Sequence, residues 1–131
     1  MTEEATRFIQ GHTGVRPSVG VVLGSGLGAF ADELTARKDI PYGDIPGWPH
    51  STAIGHAGRL IIGKLGDPSG NPSRPLDVAV MAGRAHLYEG YSMGQVTFGV
   101  RVLHSIGARS MVFTNAAGGI NLALELSLIH I

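Results

Sequence analysis

The densest group of side chains that could do chemistry lies in GRAHLYEGY at residues 83–91, directly after the apolar run DVAVM. Arg84 can offer a planar pair of N–H donors to a phosphate, and His86 points the same way if the chain stays extended. Glu89 is close enough in sequence to orient or charge the imidazole of His86. The alternative is a solvated strand end in which the arginine and the glutamate form only a surface ion pair.

A second candidate is the glycine-rich turn GSGLG at residues 24–28, which follows the apolar run VGVVL. Free backbone N–H groups at the start of a helix, together with the Ser25 hydroxyl, would form an anion site. A purely structural tight turn is one alternative. A dinucleotide site is another, because the turn satisfies the pattern G-x-G-x-x-G/A and Asp44 lies near the offset of a ribose-binding acid. Asp44, however, sits within PYGDIPGWP rather than at the end of a second apolar strand.

Two further stretches carry weaker signals. In TNAAGG at residues 114–119, which ends the apolar run SMVFT, small residues would let a ligand lie against main-chain N–H donors. A helix C-cap or a bulge explains its two glycines equally well. His56, in AIGHAG, is a loop histidine that would either contact phosphate or have no role. The remaining histidines show no metal-ligand spacing, so we expect no metal site.

Composition narrows the classes of function. The chain has 131 residues, 44% of them apolar, with ten Lys+Arg against ten Asp+Glu and no cysteine. The balanced charge argues against nucleic acid and anionic membranes as partners, and the absence of cysteine excludes disulfides, thiolate metal sites and cysteine nucleophiles. The acidic N-terminal segment has no long apolar stretch, so we expect neither a signal peptide nor a membrane span, and a cytoplasmic location.

The elements that must position these residues alternate between strand and helix. Apolar runs predict strands at 19–23, 59–65, 77–81 and 110–114, and apolar spacing predicts helices at 2–12, 27–34 and 96–104. Residues 40–49 hold three prolines and the only tryptophan, which indicates an irregular loop or edge segment in which Tyr42 and Trp48 are packing residues. The alternation predicts a single α/β domain.

Taken together, VVLGSGLG, the GHAG loop, GRAHLYEGY and TNAAGG, in this order and spacing, resemble the trimeric purine nucleoside phosphorylases. The likeness runs to about Asn121 and covers the front portion, a little under half, of a complete family member. It implies a three-layer α/β/α fold around a twisted central mixed sheet, incomplete here. It also implies reversible phosphorolysis of purine ribo- or deoxyribonucleosides to free base and pentose 1-phosphate in purine salvage, with orthophosphate as co-substrate and no metal or organic cofactor.

The resemblance also implies roles for individual residues. Phosphate would be enclosed by Ser25, His56, Arg84, His86 and the backbone N–H of Ala116. Tyr88 would lie against the ribose, and Glu89 would hold His86 in orientation, which makes His86 and Glu89 the catalytic pair. The floor between phosphate and base would be shaped by Asn115, Ala117 and Gly118.

The sequence departs from the family near its end. Residues 1–121 match the N-terminal portion of a single phosphorylase domain, and residues 122–131, LALELSLIHI, form an off-pattern tail. The glutamate and asparagine that hold the purine in the family have no counterpart here, and Glu125 is no substitute. We therefore expect little or no turnover from this chain alone, and a homotrimer when the protein is complete.

Three alternatives stay open. Methylthioadenosine phosphorylase has a similar overall plan, although the Ser25 loop and the intact GRAHLYEGY segment favour the nucleoside enzyme. A protein of another class, an NAD- or FAD-dependent oxidoreductase, would use the GSGLGA turn. The third is an inactive truncated fragment that folds, or fails to fold, without any ligand.

Overall fold

A mixed sheet of five strands forms the centre of the molecule. The structure, a computed structural model, describes residues 1–24, 26–49, 58–66, 74–115, 120–121 and 123. The strands are β1 Val19–Leu23, β2 Thr35–Pro41, β3 Arg59–Leu65, β4 Leu76–Ala82 and β5 Ser110–Phe113, in the spatial order β2-β3-β4-β1-β5. Strand β1 is parallel to both β4 and β5, whereas β3 is antiparallel to β2 and β4. The carboxyl ends of β4, β1 and β5 therefore lie side by side at one end of the sheet.

Helices cover one face of this sheet. The α-helices are α1 Thr2–His12, α2 Met93–Val96 and α3 Phe98–Ile106. Three short 3-10 helices span Gly28–Glu33, Tyr42–Asp44 and Leu87–Glu89, and the first of these lies on the opposite face. Ile9 of α1 and Leu103 of α3 are buried against Leu60 and Ile62 of β3. Each such side chain contributes about 1.5–3 kcal/mol when it leaves water, so this face holds the main core.

The opposite face is covered less completely. Ala31 lies in the 3-10 helix Gly28–Glu33, and Leu34 directly follows that helix. Both residues pack on Ile61 and Val80 of the sheet. Beside them lies an open apolar groove of about 350 Å³. Phe113 at the end of β5 is 62% exposed. Within the described residues, no other helix lies on this face.

The α/β class and the mixed sheet predicted from the sequence are confirmed, as are the leading helix and four of the five strands. The helix predicted over 96–104 is present as α2 and α3. In the part of the chain that the structure describes, no helix is both long and apolar enough to span a bilayer.

Strand β2 is an element that the sequence analysis does not predict. Its segment, TARKDIP, buries only Ile40 and carries charges along the rest of its length. Arg37 pairs with Asp32 at 2.8 Å and with Asp39 at 3.2 Å, and Asp39 also meets Arg59 at 3.2 Å. Charged side chains protect an edge strand from pairing with another chain, and they also remove the apolar alternation by which a strand is predicted.

The α-helix predicted over residues 27–34 is wrong in type. The structure has the six-residue 3-10 helix Gly28–Glu33, because β2 begins at Thr35 and leaves no room for a longer helix. Arg37 Nη1 donates to the carbonyl oxygen of Ala31 at 3.0 Å and so satisfies one of the terminal acceptors. So short a helix aligns few peptide dipoles, and its contribution to an anion site is smaller than the sequence predicts.

Candidate functional site

The segments that follow β1, β4 and β5 meet at one end of the sheet and are hydrogen-bonded to one another. Arg84, two residues after β4, donates from Nη1 to the carbonyl oxygen of Thr114 at 2.9 Å. Thr114, directly after β5, accepts at its Oγ1 from the backbone N–H of Gly24 at 2.8 Å. We call Gly24, Arg84, His86, Glu89 and Thr114 the strand-end cluster.

Gly83 turns the chain between β4 and Arg84. Its φ of +99° is in the region that favours glycine, and a Cβ there would lie 3.3 Å from the Cα of Gly58. Tyr42 fixes this turn, because its hydroxyl donates to the carbonyl oxygen of Gly83 at 2.7 Å. The backbone N–H of Tyr42 also donates to the carbonyl oxygen of Gly58 at 3.0 Å. The orientation of Arg84 therefore depends on a residue 42 positions earlier in the chain.

Tyr42 is also a packing residue, as predicted, together with Trp48. The two rings stack with centroids 4.6 Å apart, and Tyr42 is 3% exposed. A Cβ at Gly58 would overlap the Tyr42 ring, so glycine is required there. Burial of the phenol raises the pKa of Tyr42 well above its ordinary value.

The contacts among Arg84, His86 and Glu89 show which ring nitrogen of the neutral imidazole carries the proton. Nε of Arg84 donates to Nε2 of His86 at 3.3 Å, and Nδ1 of His86 lies 2.7 Å from Oε1 of Glu89. A guanidinium can only donate and a carboxylate can only accept, so the neutral ring carries its proton on Nδ1. Oε1 of Glu89 also accepts from the backbone N–H of His86 at 2.9 Å. Two bonds thus hold His86 against a carboxylate that is 7% exposed.

This arrangement is suited to an incoming dianion. Arg84 supplies a planar cation, and Nε2 of His86 faces the same side as the guanidinium. An oxyanion that displaces the Arg84–His86 contact would accept from the guanidinium and would lie against Nε2 of His86. Glu89, on the other side of the ring, holds the imidazole in this orientation.

The structure describes some of the other predicted site residues. The Tyr88 ring stacks on His86 with centroids 4.7 Å apart and is 82% exposed, so one aromatic face lies open beside the cluster. Asn115 is exposed directly after Thr114. Five predicted residues lie outside the described part of the chain: Ser25, His56, Ala116, Ala117 and Gly118. Among the described residues, no three His, Asp or Glu side chains are grouped in a way that could hold a metal ion.

The topology argues against a dinucleotide site at residues 24–28. In the dinucleotide-binding fold, the strand that carries the ribose-binding acid lies next to the first strand. Asp44 instead follows β2, which β3 and β4 separate from β1.

Comparison with known proteins identifies the family of this chain. The family model of the phosphorylase superfamily matches residues 18–129. This chain belongs to the phosphorylase superfamily. The superfamily match includes every residue of the strand-end cluster.

Individual relatives are similar to nearly the whole of this chain. Purine nucleoside phosphorylase 1 of Geobacillus stearothermophilus is 46% identical over 123 residues, which are 94% of this chain and 42% of that protein. Schistosoma mansoni purine nucleoside phosphorylase in complex with inosine superposes with a TM-score of 0.81 at 38% identity, covering 95% of this chain and 41% of that one. Isoform 2 from the same organism, in complex with cytosine and ribose-1-phosphate, gives a TM-score of 0.80 at 38% identity, with coverage of 94% and 40%.

These matches confirm the similarity to purine nucleoside phosphorylases that the sequence analysis stated. The chain spans about two fifths of the length of the curated relatives it matches. The sequence analysis missed two residues that position the cluster, Tyr42 and Thr114. Both act through hydrogen bonds to distant backbone groups. The sequence offers two signals for them. One is a tyrosine inside a proline- and glycine-rich loop, and the other is a threonine directly after a buried-strand pattern.

Proposed function

We propose that this chain is the N-terminal portion of a purine nucleoside phosphorylase. The complete protein would convert a purine ribo- or deoxyribonucleoside and orthophosphate reversibly to free base and pentose 1-phosphate, as a step of purine salvage. The observation that carries the proposal is the meeting of Arg84, His86 and Glu89 at the carboxyl end of β4, hydrogen-bonded to the end of β5. The relatives' complexes with inosine and with ribose-1-phosphate support it.

Phosphate is the ligand of the strand-end cluster in this proposal. Arg84 donates to its oxygens, His86 lies against it through Nε2, and Ser25, His56 and the Ala116 N–H complete the enclosure. Glu89 is a positioning residue, because it holds the ring of His86 through Nδ1 and the backbone. Phosphate is both ligand and reactant, so no metal or organic cofactor is needed.

The reaction draws on this placement of charge. As the glycosidic bond breaks, its electron pair leaves with the base and positive charge develops on the sugar. A phosphate dianion held beneath the anomeric carbon stabilises that charge and forms the new C–O bond, while the departing base takes up a proton. Arg84 and His86 therefore act by holding the nucleophile in position.

The remaining predicted residues serve the nucleoside. Tyr88, which stacks on His86 and is open to solvent, would lie against the ribose. Asn115, Ala117 and Gly118 would form the floor between phosphate and base. Groups that hold the purine ring would come from beyond residues 1–121, and the complete protein would be a cytoplasmic homotrimer.

A calorimetric titration with phosphate tests the proposal on the chain itself. We expect saturable binding that Arg84→Ala weakens by about tenfold or more, since a charged, paired donor is lost. Arg101→Ala is the matched control, because Arg101 lies on α3 and donates to Gly94, away from the cluster. No saturable binding, or equal losses in the two variants, would refute the proposal. Saturable binding of NADH that phosphate does not affect would favour an oxidoreductase instead.

A further inference from the structure

We propose that Thr114 is a positioning residue that ties the glycine-rich turn after β1 to the guanidinium of Arg84. The inference rests on the proposed function, because it concerns the same phosphate site. It adds a residue outside the set that the sequence predicts to touch phosphate, sugar or base. Thr114 acts through its two oxygen atoms, each of which holds a different part of the site.

The side-chain oxygen of Thr114 holds the end of β1. Oγ1 donates to the carbonyl oxygen of Val22 at 2.9 Å and accepts from the backbone N–H of Gly24 at 2.8 Å. Among side chains of this size, only a hydroxyl can donate and accept at one atom in this way. This bond holds the backbone N–H of Gly24, the residue before Ser25, which is predicted to donate its hydroxyl to phosphate.

The main-chain oxygen of Thr114 holds Arg84. Nη1 of Arg84 donates to it at 2.9 Å, so the guanidinium is oriented by the end of β5 as well as by His86. The two main chains also touch, because a Cβ at Gly24 would lie 3.0 Å from that same carbonyl oxygen. A shift of the β5 end would therefore move the turn after β1 and Arg84 together.

The backbone N–H of Thr114 also donates to the carbonyl oxygen of Val22 at 3.0 Å, so the hydroxyl adds the bond to the Gly24 N–H that this backbone contact does not make. Thr114→Val keeps the branched shape but removes the hydroxyl, which leaves the Gly24 N–H without this acceptor. Thr114→Ser keeps the hydroxyl and removes only a methyl group. Thr97→Val is a matched control, since Thr97 donates its hydroxyl to Met93 at 2.8 Å on the helical side of the molecule.

Calorimetric phosphate titrations of these variants, at a temperature where far-UV circular dichroism shows each one folded, test the inference. We expect Thr114→Val to raise the dissociation constant of phosphate by about tenfold, with Thr114→Ser within threefold of the unchanged chain and Thr97→Val without effect. A threonine that only stabilises the fold would lower the urea midpoint and leave phosphate binding unchanged. A change of less than threefold in folded Thr114→Val therefore overturns the inference.

Three further outcomes decide whether the inference and the proposed function stand. If Thr114→Val does not fold, Thr114→Ser decides, and a loss of phosphate affinity greater than threefold in that variant overturns the inference. If the unchanged chain does not bind phosphate at all, the proposed function fails and the inference fails with it. The third outcome is that the unchanged chain binds phosphate, that Arg84→Ala abolishes the binding and that Thr114→Val leaves it intact. In that case the proposed function stands, and only the role of Thr114 is rejected.

Discussion

The buried hydroxyl of Tyr42 should make the stability of the chain depend on pH above 10, and Tyr42→Phe should remove that dependence. The hydroxyl donates to the carbonyl oxygen of Gly83 at 2.7 Å inside the core. Near neutral pH, the loss of a buried hydrogen bond of this kind costs about 1–2 kcal/mol of unfolding free energy. Tyr42→Phe should therefore be destabilising at pH 8 by about that amount.

The sign of the pH effect follows from the direction of the pKa. Burial raises the pKa of Tyr42 in the folded chain above its ordinary value of 10.0. Above pH 10 the unfolded chain loses this proton while the folded chain keeps it, so the folded chain is progressively disfavoured. With an unfolded pKa of about 10, about 1.4 kcal/mol of the stability contributed by Tyr42 is lost by pH 11.

Urea unfolding at pH 8, 10 and 11 measures both effects, with the fluorescence of Trp48, which stacks on Tyr42, as the probe. Other groups that titrate in this range are common to both chains and cancel in the difference. The destabilisation caused by Tyr42→Phe should shrink toward zero by pH 11. A difference that is the same at pH 8 and pH 11 would refute the assignment of a protonated, hydrogen-bonded phenol at this position.

Further substitutions test the turn at Gly83 and the role of Glu89. Gly83→Ala should cost about 1–2 kcal/mol of unfolding free energy because of its φ of +99°, whereas Gly11→Ala in α1, with no atom within 4 Å, should gain about 0.5–1 kcal/mol. Equal signs in urea melts would contradict this. Glu89→Gln should weaken phosphate binding by about tenfold in calorimetry, because a neutral amide accepts from Nδ1 and the backbone N–H of His86 less strongly than a carboxylate and so orients the ring less well. An unchanged dissociation constant would reject that role.

Strands β1, β3 and β4 could be predicted because they are buried over most or the middle of their length and rich in apolar residues. Strand β5 could be predicted from its apolar sequence, although most of its side chains are exposed. Strand β2 could not be predicted in this way, because its pairing with β3 is supported by charges on Arg37 and Asp39 that only the folded chain brings beside Arg59. Likewise, the apolar spacing over 27–34 includes the buried Ala31 and Leu34, but it does not show whether the turn is α or 3-10.

The contacts of the candidate site also fall into two groups, those that could be predicted from the sequence and those that could not. Arg84, His86 and Glu89 are neighbours in sequence, so their contacts could be anticipated from spacing alone. The bonds from Tyr42 to Gly83 and from Thr114 to Gly24 span 41 and 90 positions, and the order of strands in the sheet decides them. The local sequence places Thr114 directly after a strand, but it does not show that the hydroxyl faces the end of β1.

The unequal covering of the two sheet faces bears on how a polypeptide of this family emerges from the ribosome. The helices on the first face all come from residues before Gly107, so that layer can assemble as soon as this stretch is synthesised. The apolar groove beside β1 and β5 has no comparable cover among the described residues. This groove is therefore the part of the sheet surface that keeps apolar side chains in contact with water once the first face is covered.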